Sequence, residues 1–193
     1  MTGLEFTANV VTALSILLAG RNSVHTWWSG IIGCILFALM FYQVKLYADV
    51  ALQGFFLVTG VLGWYQWLYG RGGRELAITQ TSWNVLAGML ITGVVVTFIY
   101  GYLLHHYTDA YAPFVDSAVL AFSVLAQLLL MKRRVETWLF WLIVNSIAIP
   151  LYASRELYFT AALYSVYWVN AVVAWYGWRR QMSAAHAAIP EDA

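Results

Sequence analysis

Long apolar runs dominate the chain, broken at intervals by short clusters of charged and small residues. A helix needs about 20 mostly apolar residues to cross a hydrocarbon core of roughly 30 Å. On that scale the pattern predicts seven membrane-spanning helices, at about 4–20, 27–44, 46–69, 83–104, 113–131, 137–153 and 157–178. The second and third are separated only by Val44–Lys45, the sixth and seventh only by Ser154–Arg155–Glu156. One helix running through either turn would carry a charge into the membrane at large cost, so both pairs are read as hairpins. Pro150, inside the sixth run, is expected to interrupt backbone hydrogen bonding and permit bending. The short polar stretch after Arg180, QMSAAHAAIPEDA, reads as a disordered tail over 181–193.

The pattern also repeats. Residues 26–67 align without gaps on 137–178 at a constant offset of 111, with twelve identical pairs in 42 positions. Trp27 meets Trp138, Leu46–Tyr47 meets Leu157–Tyr158, and Trp64–Tyr65–Gln66–Trp67 meets Trp175–Tyr176–Gly177–Trp178. Apolar bias inflates matches of Leu or Val, but not matches of Trp and Tyr in register. The expected fold is therefore an all-α integral membrane protein, a single domain over 1–193. Two parallel three-helix repeats, 4–69 and 113–178, flank a linker helix at 83–104, a 3+1+3 order. Parallel repeats of this kind are a transporter architecture, with substrate held near the midplane.

Composition agrees. The chain is 62% hydrophobic and 10% charged with a mean hydropathy of +0.71, whereas a soluble domain carries about 25% charged residues. A net charge of +1 leaves no basic stripe for phosphates, which argues against a nucleic-acid partner. The single cysteine, Cys34, excludes a disulfide framework and a cysteine metal site. MTGLEF has no Lys or Arg ahead of the first run, so a cleaved secretory signal is not expected. Arg21, Arg71, Arg74, Lys132, Arg133, Arg134, Arg179 and Arg180 sort to one side, and only Lys45 and Arg155 to the other. The positive-inside rule then places the N-terminus outside and the C-terminus in the cytoplasm.

Polar side chains at membrane depth point to the interior or to a cavity. Trp138, Trp141 and Asn145 share one face of the sixth helix at spacing i, i+3, i+7. Gln53, Phe56, Gly60 and Trp64 share one face of the third, with Tyr164, Tyr167, Ala171 and Trp175 as their repeat partners. The fifth helix adds Asp116 and Ser117 near its outer end and Ser123 deeper. Each amide of Asn145 and Gln53 needs partners, so it either joins helices or binds ligand. Trp27, Trp28, Trp67 and Trp178, at span ends, are expected as interfacial anchors, leaving Trp64 and Trp141 as stacking surfaces. Amides with aromatics suit a flat ring bearing a carboxamide and hydroxyls, and an aromatic cage also attracts organic cations. Asp49, Asp109, Asp116 and Glu156 on the outer side would favour a cationic solute, or serve only as solvated caps.

The stretches KLYADVALQ and GWYQW within Phe41–Trp67, FVDSAVLAFSVLAQLLL, and KRRVETWLFWLIVN closely resemble the PnuC family of bacterial vitamin transporters. The resemblance covers nearly the whole chain. It implies the 3+1+3 fold, similar to that of SWEET sugar carriers, and uptake of nicotinamide riboside, with relatives that carry thiamine or riboflavin. On the family pattern Gln53 presents an amide to substrate. Trp138, Trp141 and Asn145 form a Trp-x-x-Trp-x-x-x-Asn signature around ring and ribose, and Asp116 with Ser117 fills the Asp-Ser position. Trp64 and Tyr164 complete the candidate substrate-binding set. The chain is short for the family, with a trimmed N-terminus and brief central loops.

No charge lies in the middle of a span, which argues against ion coupling and agrees with facilitated diffusion. On the family picture, cytoplasmic phosphorylation makes uptake one-way, and the two triple bundles rock about an aromatic-gated pocket. The implied partners are a small-molecule substrate and the lipid bilayer; a homo-oligomer is compatible with this reading, and no cofactor is implied. A membrane enzyme is disfavoured, because His25, His105, His106 and His186 sit at edges, in a loop or in the tail, and no nucleophile–base pair or metal spacing appears. A seven-helix sensor would need an output domain that the tail does not supply.

Overall fold

The computed structural model describes residues 3–43, 47–70, 73–109 and 111–187 of the 193. The Val44–Lys45 turn, Arg71 and residues 188–193 lie outside the described residues, as do the side chains of Asp49 and His186. Seven helices follow one another: α1 (Gly3–Gly20), α2 (His25–Gln43), α3 (Tyr47–Tyr69), α4 (Trp83–Tyr107), α5 (Pro113–Met131), α6 (Thr137–Ser154) and α7 (Tyr158–Ala187). The first six begin and end within three residues of the runs that predict them. Pro150 sits inside an unbroken α6. α7 differs. It continues to Ala187 where the composition suggested disorder, because Gln181, Met182, Ala184 and Ala185 are good helix formers. Gln181 also accepts a hydrogen bond from Asn22 Nδ2 at 2.8 Å. Five helices (α1, α2, α4, α5 and α6) are long and apolar enough by length and composition to cross a membrane. The other two, α3 and α7, carry the polar-aromatic faces.

The chain forms two compact units. The first holds α1–α3 with the residues up to Ile78, the turn Leu130–Arg133 and the end of α7 from Tyr176. The second holds α4, α5 to Leu129, and Arg134 onward through α6 and α7 to Trp175.

The repeat is visible in local geometry. α1 closes on Asn22 at φ 57°, with Asn22 N bonded to Ala19 O and Ser23 N to Leu18 O, both at 2.9 Å. α5 closes on Arg133 at φ 53°, with Arg133 N bonded to Leu130 O and Arg134 N to Leu129 O, again at 2.9 Å. This is the Schellman pattern, in which a left-handed residue satisfies the last helical carbonyls. Each participant is displaced from its counterpart by 111. So are the next contacts: Thr26 Oγ1 donates to Ser15 O at 2.9 Å, and Thr137 Oγ1 to Ala126 O at 2.8 Å. In the first copy Ser15 Oγ returns a bond to Thr26 O at 2.8 Å.

Within the first unit, small residues let helices approach closely, the usual device where lipid offers no hydrophobic drive. A Cβ on Gly30 would meet Ser15 Oγ at 3.0 Å, and one on Gly63 would overlap the Trp27 ring. Trp27 in turn packs edge-on against Trp67, and Trp67 against Trp178, with ring centroids 5.2 and 5.7 Å apart. All three are buried, which corrects the expectation that they anchor at the membrane interface: helices cover their rings from the side. Trp28 is exposed, and its Nε1 donates to His25 Nδ1 at 2.9 Å. Arg133, also buried, places its guanidinium 4.5 Å over the Trp67 ring. Its Nε donates to Asn22 Oδ1 at 2.8 Å, and its Nη1 to Leu76 O and to Glu75, the latter at 2.8 Å.

In the second unit Leu86, Phe122, Ala126, Leu129, Phe140 and Val144 form the core, with Trp141 and Ile143 packed against it. α4 is more than a linker. Its Gly93 lies against Phe122 and Leu125, and its Gly101 against Phe114.

Two substitutions test this packing. Gly63→Ala drives a methyl group into the Trp27 ring and should cost about 1–3 kcal/mol. Gly54→Ala, whose Cβ meets nothing within 4 Å, should be neutral or stabilise by up to about 1 kcal/mol. Unfolding of the purified protein in mixed micelles of rising SDS fraction reads both, and equal effects would refute the assignment. By the same measurement Thr26→Val and Thr137→Val should each lose about 0.5–1.5 kcal/mol.

Candidate functional site

The second unit contains six of the eight candidate residues. On α6 the exposed positions Leu139, Ser146 and Pro150 follow one another at helical spacing and form its outward stripe. Thr137, Trp138, Phe140, Val144, Asn145, Ala148 and Leu151 are buried, so the Trp-Trp-Asn face turns away from the lipid side. Trp138 is sealed, and Trp141 is half-buried against the apolar core.

Asn145 stands apart. It is only 3% exposed, yet no hydrogen bond reaches its side chain among the described residues. An amide in this position has two donors and an acceptor to satisfy. Leaving one unmade in apolar surroundings costs about 1–3 kcal/mol. The hydroxyls nearby behave differently. Ser117 Oγ donates to Pro113 O at 2.7 Å and Ser165 Oγ to Ala161 O at 2.9 Å, each within its own helix. Ser117 is fully buried, with its hydroxyl hydrogen engaged inside α5. Ser123 is also buried.

One turn and more beyond Asn145, α6 carries Tyr152. Its ring lies 5.0 Å from that of Tyr164, and Tyr164 lies 5.5 Å from Tyr167, both on α7. These three rings make a continuous aromatic wall in the second unit. At the end of α6, Arg155 Nη2 donates to both carboxylate oxygens of Asp116, at 3.0 and 2.8 Å. The Asp116 carboxylate is thus already engaged, and the arginine guanidinium lies 5.3 Å from the Tyr111 ring centroid.

Gln53 and Trp64 belong to the first unit. The buried positions described on α3 are Thr59, Gly60, Gly63 and Trp67, so of the face read in the sequence Gly60 is buried, while Gln53 and Phe56 are half-buried and Trp64 is exposed. Gln53 is half-buried, with no hydrogen bond to its side chain among the described residues, and Trp64 is 37% exposed. Sequence reasoning missed Arg155 and Tyr152 as parts of the site. Tyr152 continues the Asn145 stripe at i+7, a signal present in the spacing, but the pairing of Arg155 with Asp116 joins residues 39 apart and leaves no local trace.

A family model described as nicotinamide mononucleotide transporter matches residues 2–180. The nicotinamide riboside transporter PnuC of Escherichia coli (strain K12) is 26% identical over 186 residues, covering 82% of this chain and 77% of that one. PnuC of Neisseria mucosa is 27% identical over 189 residues, covering 90% and 70%. The riboflavin/roseoflavin transporter RibM of Streptomyces davaonensis is 23% identical over 176 residues, covering 89% and 81%. A crystal structure of the vitamin B3 transporter PnuC superposes with a TM-score of 0.73 at 23% identity, over 94% of this chain and 82% of that one. That likeness shows the fold, an all-α arrangement with seven helices among the described residues, five of them long and apolar enough to cross a membrane. Matched almost from end to end by the family model, the chain belongs to the nicotinamide mononucleotide transporter family of membrane carriers.

Proposed function

We propose that the protein takes up nicotinamide riboside by facilitated diffusion across a bacterial inner membrane. Phosphorylation in the cytoplasm then traps the solute. The observation that carries this reading is Asn145: a buried amide, turned away from lipid and with no hydrogen bond to its side chain among the described residues. Such a group is costly to keep unless a ligand completes it. A carboxamide or a ribose hydroxyl does so, since each donates and accepts.

Trp141 and Tyr164 would lie against the ring, with Trp138 fixing the position of Trp141 from beneath, one turn earlier on α6. Gln53 and Trp64, on α3 of the first unit, are proposed as substrate contacts on the sequence pattern. No Asp, Glu, Lys or Arg occurs in the middle of a span, which favours uncoupled transport. The clustering of Arg21, Lys132, Arg133, Arg179 and Arg180 at the same helix ends favours a cytoplasmic C-terminus. The relative RibM supports a second reading, a riboflavin carrier on the same scaffold, and thiamine is a third candidate.

Binding of nicotinamide riboside, thiamine and riboflavin to the purified protein separates these readings. Asn145→Ala is expected to weaken binding of the true substrate at least tenfold, about 1.4 kcal/mol. Its unfolding midpoint should stay level or rise, because an unsatisfied buried amide has been removed. Lost stability with unchanged binding would make Asn145 a structural residue. In liposomes without any ion gradient, radiolabelled nicotinamide riboside should equilibrate, and should accumulate only when a riboside kinase and ATP are enclosed. Flux that requires a proton or sodium gradient would overturn the uncoupled mechanism.

A further inference from the structure

We propose that Arg155 selects the charge of the transported solute, neutralising Asp116 in the empty carrier and yielding it to a solute with its own positive charge. The inference rests on the vitamin-carrier reading above. It concerns a residue which that reading leaves unused.

Asp116 lies in the first turn of α5, where the helix dipole favours the anionic carboxylate. Arg155 meets both of its oxygens at 3.0 and 2.8 Å. The two side chains are 28% and 32% exposed, so the pair is neither sealed nor fully solvated. Breaking a sealed pair is costly because it strands a buried charge. A pair about one-third exposed, with solvent at hand, exchanges partners far more readily. Arg155 also keeps the Tyr111 ring at 5.3 Å when the carboxylate leaves it.

Position links this pair to the site. Tyr152 precedes Arg155 by less than one turn of α6, and its ring contacts Tyr164, one of the proposed ring-binding residues. The pair thus stands at the end of the aromatic wall. A solute carrying a positive ring can replace the guanidinium at Asp116 with no net change in charge. A neutral ring cannot. The relatives differ on this chemistry: nicotinamide riboside is a pyridinium cation, while the riboflavin ring system is uncharged.

The test measures dissociation constants of nicotinamide riboside and riboflavin for the wild-type protein, Arg155→Gln, Arg155→Lys, Asp116→Asn and the double Asp116→Asn/Arg155→Gln. Freed of its competitor, Asp116 in Arg155→Gln should bind the cation about 3–10-fold more tightly, with riboflavin unchanged within about twofold. Arg155→Lys should restore the wild-type ratio. Asp116→Asn should abolish the preference for the cation, and the double variant should resemble it. If Arg155→Gln shifts both ligands equally, or weakens both, the pair is a structural clasp and this inference alone fails. If the wild-type protein binds neither ligand, the vitamin-carrier reading fails and takes this inference with it.

Discussion

In hydrocarbon a polar group has no water to fall back on, so donors and acceptors at membrane depth must find partners inside the protein. Most hydroxyls here do so by the shortest route. Thr59, Thr92, Thr97, Ser117 and Ser165 each bond a carbonyl one turn back in their own helix. Thr26 and Thr137 reach instead to the preceding helix and tie hairpins together. Trp27 Nε1, Thr81 Oγ1 and Arg155 Nε are buried without such a partner among the described residues. Asn145, 3% exposed and with no hydrogen bond to its side chain among the described residues, differs from them in offering both donors and an acceptor, and the functional reading follows from it.

The duplication divides labour in a way that geometry makes intelligible. Positions that hold the scaffold are alike in both copies: Thr26 and Thr137, Trp27 and Trp138, Trp67 and Trp178, and the left-handed turn residues Asn22 and Arg133. Positions proposed to carry chemistry differ. Asn145 corresponds to Cys34, Trp141 to Gly30 and Tyr164 to Gln53. Gly30 cannot become Trp, because even a Cβ there would press on Ser15. One copy thus keeps the close α1–α2 contact while the other, free of it, offers an indole and an amide. This asymmetry favours one binding site rather than two.

The two arginines placed by tertiary contacts illustrate how burial sets the use of a charge. Arg133 is sealed, with Asn22, Glu75, Leu76 and the Trp67 ring around it. Releasing it would strand a buried cation, so it acts as a fixed tie in the first unit. Arg155, more than a quarter exposed with one carboxylate and one ring for company, can let go. In a chain with 10% charged residues, both are too expensive to be incidental.

The number and order of the helices, and the ends of all but α7, were legible in the sequence, because the hydrocarbon thickness imposes a length on every apolar run and charges mark the ends. The repeat was legible too, through Trp and Tyr in register, and so was the inward Trp-Trp-Asn face of α6, since helical spacing alone puts those residues together. Tertiary structure decided the rest. Whether Trp27, Trp67 and Trp178 meet water or protein depends on which helices cover them, and no span-end position encodes that. Burial on α3 extends beyond the predicted face, from Gly60 to Gly63 and Trp67, because Gly63 receives the Trp27 ring, a contact 36 residues away in sequence. Above all, a sequence can show that Asp116 and Arg155 are charged, but only the approach of two distant helix ends makes them a pair, because electrostatic partnership depends on distance in space and not along the chain.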